Sequence, residues 1–322
     1  MQRRHLLGAA LAASLPFPAL AAGYPDRPVR LVCPYAAGGG PDLLCRELAP
    51  LLGDALGQSV YVENKVGAGG VLAAQYLVGQ PADGYTLMLG SNAHLIQKLL
   101  QPALKFDALR DFAAVSLVST SCCTLLVATD SPWQSVDALV QDARRRPGQL
   151  NYGSGGIGTP AHLAGATLAA LGHFKAVHVP LRGSVDIGLS LMRGDTHFAF
   201  PNLTTAQQAM KTGKLRMLAV TSAQRLEVLP EVPTLAESLK SDKAVQEAWS
   251  GIWVHAATPP ATVAALHQAT VRAVQQPRMA EYARANGSER ATSHSPEAFS
   301  RFVQAENAKL AEIIALSHVR AA

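Results

Sequence analysis

Residues 151–172 have the sequence NYGSGGIGTPAHLAGATLAALG, and this stretch decides the predicted fold. It predicts the end of a strand, a turn containing four glycines, and a helix with Thr159 as its N-cap and Pro160 in its first turn. Apolar residues then recur at helical spacing as far as Leu171. The first amides of such a helix lack partners, and its dipole places about half a positive charge there. The stretch therefore favours an anion-binding turn.

A second turn of the same kind occurs near the start of the chain. Residues 29–34 predict a strand, AAGGGPD follows at 36–42, and leucines then recur at helical spacing. Pro41 suits the first helical turn, and Asp42 suits a cap or the positive end of the helix dipole. Since Asp42 would repel an anion if it faced a binding cleft, we expect it to have a structural role.

Strands and helices continue to alternate after this unit. Residues 59–63 and 85–89 predict strands, and a helix follows each of them. This order predicts parallel pairing with right-handed crossovers. In such sheets, ligands bind beyond the carboxyl ends of the strands, where these glycine turns fall.

The chain changes lobe near residue 121. Two apolar strands, 113–118 and 124–128, are predicted on either side of the Ser-Thr-Ser sequence at 119–121. A second α/β unit then extends to about residue 223, and a helical tail returns to the first. We expect a two-lobed α/β fold in which each lobe is a mostly parallel sheet flanked by helices. The first lobe comprises residues 23–121 and 224–322, the second comprises 122–223, and two crossings form a hinge that closes over a cleft.

Residues 1–22 predict a cleaved signal peptide. Arg3 and Arg4 precede a short apolar stretch at 6–15, and Ala-Leu-Ala at 19–21 matches a cleavage site, with cleavage near Ala21-Ala22. The paired arginines hint at the twin-arginine route. The mature protein is therefore expected in the periplasm.

Composition narrows the function classes. The chain has 322 residues, of which 48% are hydrophobic and 16% charged, so it can bury a large core. The net charge is +5, yet the one dense basic run is at 144–146, and aromatic residues do not interleave with it. Nucleic-acid binding thus has little support.

Four cysteines are present, and no spacing among them matches a zinc site. We expect buried free thiols, and a Cys33–Cys45 bridge stays open. Their positions are Cys33, Cys45, Cys122 and Cys123.

An enzyme is not expected. Residues 153–158 spell the dinucleotide fingerprint G-x-G-x-x-G, but the acid needed about 20 residues later is missing. No G-x-S-x-G elbow surrounds Ser154 either. We therefore predict no cofactor and no metal.

Further short motifs occur in a fixed order. They are YP to PV (24–29), PYAAGG (34–39), VENK with GAGG (62–65, 67–70), DGYTL (83–87), RPG with LNY (146–148, 150–152), GT with HL (158–159, 162–163), VHVP (177–180) and GKLR with LAVT (213–216, 218–221). Together they resemble the periplasmic substrate-binding receptors of tripartite tricarboxylate transporters, the Bug family. The resemblance covers nearly the whole mature chain.

This resemblance implies a type II periplasmic binding protein, a venus flytrap that is monomeric and holds a small organic carboxylate, such as a di- or tricarboxylate, for membrane transporter subunits. A periplasmic sensor feeding a signalling partner is the alternative. One carboxylate would lie at the first-lobe turn and the other at the second-lobe turn. The implied ligand-binding residues are Tyr35, Ala37, Gly38, Gly39, Asn92, Ser154, Gly156, Gly158, Thr159, His162 and Asn202. For His162, a neutral donor and a packed structural histidine both stay open.

Overall fold

The computed structural model of the chain describes residues 23–181, 184–317 and 319. The predicted signal peptide, with Arg3 and Arg4, lies outside the described residues. In the described part, no helix is long and apolar enough to cross a bilayer.

Strands and helices alternate along most of the chain, as the sequence predicts. The strands are β1 (Val29–Cys33), β2 (Val60–Asn64), β3 (Thr86–Ser91), β4 (Phe112–Cys122), β5 (Thr124–Ala128), β6 (Leu150–Ser154), β7 (Ala176–Pro180), β8 (Phe198–Ala199), β9 (Leu215–Val220), β10 (Glu247–His255) and β11 (Glu289–Arg290). The helices are α1 (Gly40–Leu56), α2 (Val71–Val78), α3 (Asn92–Leu100), α4 (Val136–Arg145), α5 (Pro160–Leu171), α6 (Ser184–Arg193), α7 (Leu203–Met210), α8 (Leu235–Leu239), α9 (Pro260–Gln275), α10 (Pro277–Ala285) and α11 (Pro296–Ser317).

These strands form two mixed sheets. The first has the order β11-β4-β10-β3-β1-β2 and the second the order β7-β6-β8-β5-β9. In each sheet, three neighbouring strands pair in parallel, and the others pair antiparallel. The two-lobed α/β architecture is confirmed, but the expectation of mostly parallel sheets is corrected. Strands that arrive from the other lobe, such as β10, enter the sheet in the opposite direction.

β4 is one continuous strand, which corrects the predicted break at 119–121. It pairs antiparallel with β10, with Ser119 opposite Ser250 and Ser121 opposite Ala248. The pairing partner lies more than 120 residues away in the sequence, so local propensity did not reveal it. The serines face the space between the lobes rather than forming a turn.

Alternation along the central strands buries both faces of each sheet. Leu31 and Cys33 pack in one core cluster of the first lobe, and Val32 packs in the other. Cys122 and Cys123 likewise belong to different clusters of the second lobe, so their thiols point to opposite faces. All four cysteines are free and buried, as the sequence predicted.

The segment between Thr234 and Ala244 packs on the second lobe, although the predicted boundary at residue 224 places it in the first. Leu235 and Ala244 are buried in the core cluster that contains α4 and α5 residues. The polypeptide therefore crosses between lobes at Cys122–Thr124 and again near residue 246, where Gln246 N–H donates to Thr221 O (2.8 Å). The apolar surface of α8 explains the difference, since it needs a core to cover it.

Helix α5 also contacts the first lobe. Leu163 on α5 is 2% exposed and belongs to a core cluster of the first lobe. Gln246 Nε2 donates to Thr167 Oγ1 further along the same helix. The two lobes are thus packed together along α5.

Candidate functional site

A cleft of about 640 Å³ lies between the lobes. Residues of the first lobe, among them Tyr35 and Trp249, line one side. Residues of the second, among them Thr159 and Phe200, line the other, and the crossing residues Cys122 and Cys123 also line it. A volume of this size is typical of small-molecule sites, which span about 300–1,000 Å³.

Four helices begin at the wall of this cleft. Two of them, α1 and α3, belong to the first lobe, and two, α5 and α7, belong to the second. Each N-terminus carries amides without helical partners and the positive end of a dipole. The cap and first-turn residues on the wall are Gly40, Pro41, Ser91, Asn92, Ala93, Thr159, Pro160, Ala161, Asn202 and Thr205.

Among the described residues, no Asp, Glu, Lys, Arg or His side chain lines the cleft. Helix dipoles are therefore the source of positive potential along the described part of the wall. Nor does the described part of the chain bring three or more His, Cys, Asp or Glu side chains together for a metal ion.

Asp42 is buried beneath the first-lobe turn, off the cleft wall, and stabilises the turn by hydrogen bonds. Its Oδ2 accepts from Gly38 N–H at 2.8 Å and from Arg46 Nε at 2.9 Å. Its Oδ1 accepts from Asn64 Nδ2 at 2.8 Å, and the same amide donates to Tyr35 O. The hydrogen bond from Arg46, with those from Asn64 and Gly38, lowers the pKa of Asp42 to about 2. With 1% of its surface exposed, Asp42 has the structural role that the sequence predicted.

A neutral cluster holds the second-lobe turn. Ser154 Oγ lies 2.6 Å from His178 Nε2 and accepts from Gly156 N–H at 3.2 Å. His162 Nδ1 accepts from Gly158 N–H at 3.1 Å, and its ring stacks on His178 with 3.8 Å between centroids. Burial, with a smaller contribution from His178, lowers the pKa of His162 to about 4, so the ring is neutral near pH 7.

Thr159 caps α5 as predicted. Its hydroxyl accepts from His162 N–H at 3.2 Å and donates to Gly156 O at 2.8 Å. The same side chain therefore closes the turn and begins the helix.

The predicted site residues divide into two groups. One group lies on the cleft wall: Tyr35, Gly38, Asn92, Thr159 and Asn202. The other group lies in or behind the two turns, off that wall: Ala37, Gly39, Ser154, Gly156, Gly158 and His162. Ser154 has no exposed surface and His162 has 6%, so both support the turn in this conformation. Contact with a ligand stays a prediction for every residue of both groups.

Asn92 and Asn202 are engaged in local hydrogen bonds. Asn92 Nδ2 donates to Glu247 O at 3.0 Å, next to the second crossing. Asn202 Oδ1 accepts from Thr205 N–H at 2.9 Å and caps α7. Both residues thus position helix N-termini at the cleft.

Many of the residues that line the cleft were not predicted from the sequence. Some missed residues are caps or first-turn positions, which helix-start signals could have indicated. Others come from strands and from α10, whose approach depends on tertiary packing. They include Ser91, Ala93, Ala161, Ser119, Ser121, Cys122, Trp249, Ser250 and Tyr282.

Comparison with protein families gives one match over most of the chain. Residues 44–318 match the model described as "Tripartite tricarboxylate transporter family receptor". Protein BugT of Bordetella pertussis (strain Tohama I) is 31% identical over 278 residues, which cover 85% of each chain.

Two solved structures are similar to the chain over nearly its full length. "R. palustris Rpa4515 with adipate" has a TM-score of 0.80 and 30% identity, and covers 92% of this chain and 99% of its own. "MatC (Rpa3494) from Rhodopseudomonas palustris with bound malate" has a TM-score of 0.76 and 26% identity, with 90% and 100% covered. Both titles name a dicarboxylate.

Proposed function

Since the chain belongs to the tripartite tricarboxylate transporter receptor family, we propose that it captures a small organic carboxylate between its lobes in the periplasm and delivers it to membrane subunits of such a transporter. It is a solute-binding receptor and not an enzyme. One observation carries the proposal: four helix N-termini meet at a cleft whose described wall has no charged side chain.

This arrangement suits an anion in two ways. The dipoles of α1 and α3 face the cleft from one lobe and those of α5 and α7 from the other, so each lobe can hold one carboxylate. A neutral ligand would gain little from four positive helix ends. The adipate and malate in the two similar structures support the same class of ligand.

The mature chain is proposed to be exported and to act as a monomer.

Thermal melts with a panel of carboxylates test the binding proposal. The protein is first unfolded in guanidinium and refolded, which removes any ligand carried through purification. At 100 times the dissociation constant, a ligand should stabilise the protein by about 2.7 kcal/mol. The dimethyl ester of each effective acid serves as the uncharged control and should give no shift.

Two matched substitutions test the cleft. Gly40 and Gly155 line it from opposite lobes, and a Cβ at either position meets no atom within 4 Å. Gly40→Val and Gly155→Val should therefore fold, fill part of the cleft and abolish the ligand shift. Gly79→Ala, away from the cleft, should keep the shift. Retention of the full shift in both valine variants would place the ligand elsewhere.

A further inference from the structure

Each lobe contributes apolar side chains to the wall of the cleft. On the first-lobe side, the wall includes Leu43, which is 44% exposed, Pro41 and the half-buried ring of Tyr282. On the second-lobe side, Ile187 and Ala161 contribute to the wall. A ligand held by carboxylates at both sides would lay its middle part against these surfaces.

A ligand ammonium group would find no carboxylate among the described residues that line the cleft. Among the described residues, no carboxylate reaches the wall, and the nearby Asp42 is buried with its oxygens occupied by Gly38, Arg46 and Asn64. Glu247 is adjacent to the wall residue Ala248 but lines a separate small cavity, and its Oε1 accepts from Ala223 N–H at 3.3 Å. Moving an ammonium from water into such a site is costly without a paired charge.

We infer that the ligand is a dicarboxylate with a chain of about five or more carbons in all, an apolar middle part and no amino group, an inference that rests on the proposed function. The apolar walls contact its methylene or aromatic body. Amino acids are excluded because none of the described residues that line the cleft is acidic. The cleft of about 640 Å³ holds a body longer than that of a four-carbon acid.

Calorimetric titration of the refolded protein with matched acids tests both parts of the inference. Adipate should bind at least tenfold more tightly than 2-aminoadipate, which adds only the ammonium group. Adipate should also bind about tenfold more tightly than succinate, because two further methylene groups are buried. Equal or tighter binding of 2-aminoadipate, or equal binding of succinate, would overturn the inference while leaving the proposed function intact. Absence of binding by every acid would instead refute the proposed function.

A variant provides the reverse test. Ala161 lines the cleft in the first turn of α5, where an aspartate is favoured by the helix dipole. Ala161→Asp should fold, weaken adipate binding and narrow or reverse the preference over 2-aminoadipate. Ala161→Asn has nearly the same shape without the charge and should keep the wild-type preference. If both variants change the preference equally, the missing carboxylate is not what excludes the ammonium group, and the inference fails.

Discussion

In the first lobe, the turn before α1 is held by an ionised group, the carboxylate of Asp42, which gathers Gly38, Arg46 and Asn64. In the second lobe, the turn before α5 is held by uncharged rings, with His162 bonded to Gly158 and stacked on His178. Both turns carry a helix N-terminus to the same cleft.

The comparison shows that the side chain holding a turn can be charged or neutral, provided that it lies off the cleft wall. Asp42 is buried behind the turn, and its partner Arg46 is half exposed on the outer side. His162 stays neutral because burial lowers its pKa. In both lobes the helix dipoles therefore remain the source of positive potential at the described wall of the cleft, but the two turns are expected to respond differently to acid.

The largest expected effect is a loss of stability as the pH falls. The pKa of His162 drops from 6.5 in the unfolded chain to about 4 in the fold, so its contribution is complete above pH 6.5 and lost as the pH falls towards 4. Burial also lowers the pKa of His178 and His197 in the second lobe and that of His94 to about 4 in the first. Thermal melts between pH 7 and pH 3 measure this loss.

His162→Phe sharpens that prediction. A phenyl ring keeps the stacking on His178 but cannot accept from Gly158 N–H or bind a proton. The variant should be less stable than the parent at pH 7, and its loss of stability between pH 6.5 and pH 4 should be smaller. An unchanged pH profile would show that His162 does not contribute to the acid response.

The anchor of the first lobe should respond only at lower pH. With a pKa near 2 against 3.8 in the unfolded chain, Asp42 contributes stability above pH 3.8 that is lost towards pH 2. Asp42→Ala should cost about 1.5–3 kcal/mol at pH 7, since hydrogen bonds to a carboxylate are lost. Urea unfolding gives the value. Asp42→Asn keeps an acceptor oxygen and should cost less, and a cost equal to that of alanine would contradict the hydrogen-bond account.

The smallest expected changes in stability come from replacing one glycine in each turn. Gly156 has φ +128°, which a residue with a Cβ rarely adopts, whereas Gly39 has φ −78°. Gly156→Ala should therefore cost about 1–3 kcal/mol of strain. Gly39→Ala should stay within about 0.5 kcal/mol of the parent. Unfolding in urea ranks the pair, and equal stabilities would mean that the second-lobe turn relaxes without strain.

Local signals were enough for the elements that begin at the cleft. The glycine turn, the Thr159 cap and Pro160 predicted the start of α5, because a cap acts within three residues. Helical spacing of leucines predicted α1 in the same way. The order of strands and helices predicted the two-lobed fold, and the family resemblance supplied the assignment of one ligand carboxylate to each turn.

Other parts depended on distant contacts. Strand β4 was predicted to end before its serines, because its partner strand β10 follows more than 120 residues later. Helix α8 was not predicted, since a five-residue helix has too short a pattern. The supporting roles of Ser154 and His162 follow from the position of His178, which no local pattern gives.

Helix α5 begins at the second-lobe glycine turn and packs its side against the first lobe, where Leu163 is buried among first-lobe side chains. Separating the two lobes would expose that leucine on the second lobe and uncover the first-lobe side chains that it contacts. Neither lobe is therefore expected to fold independently, and the two lobes produced separately should associate in solution. The receptor can be expected to melt in a single cooperative step.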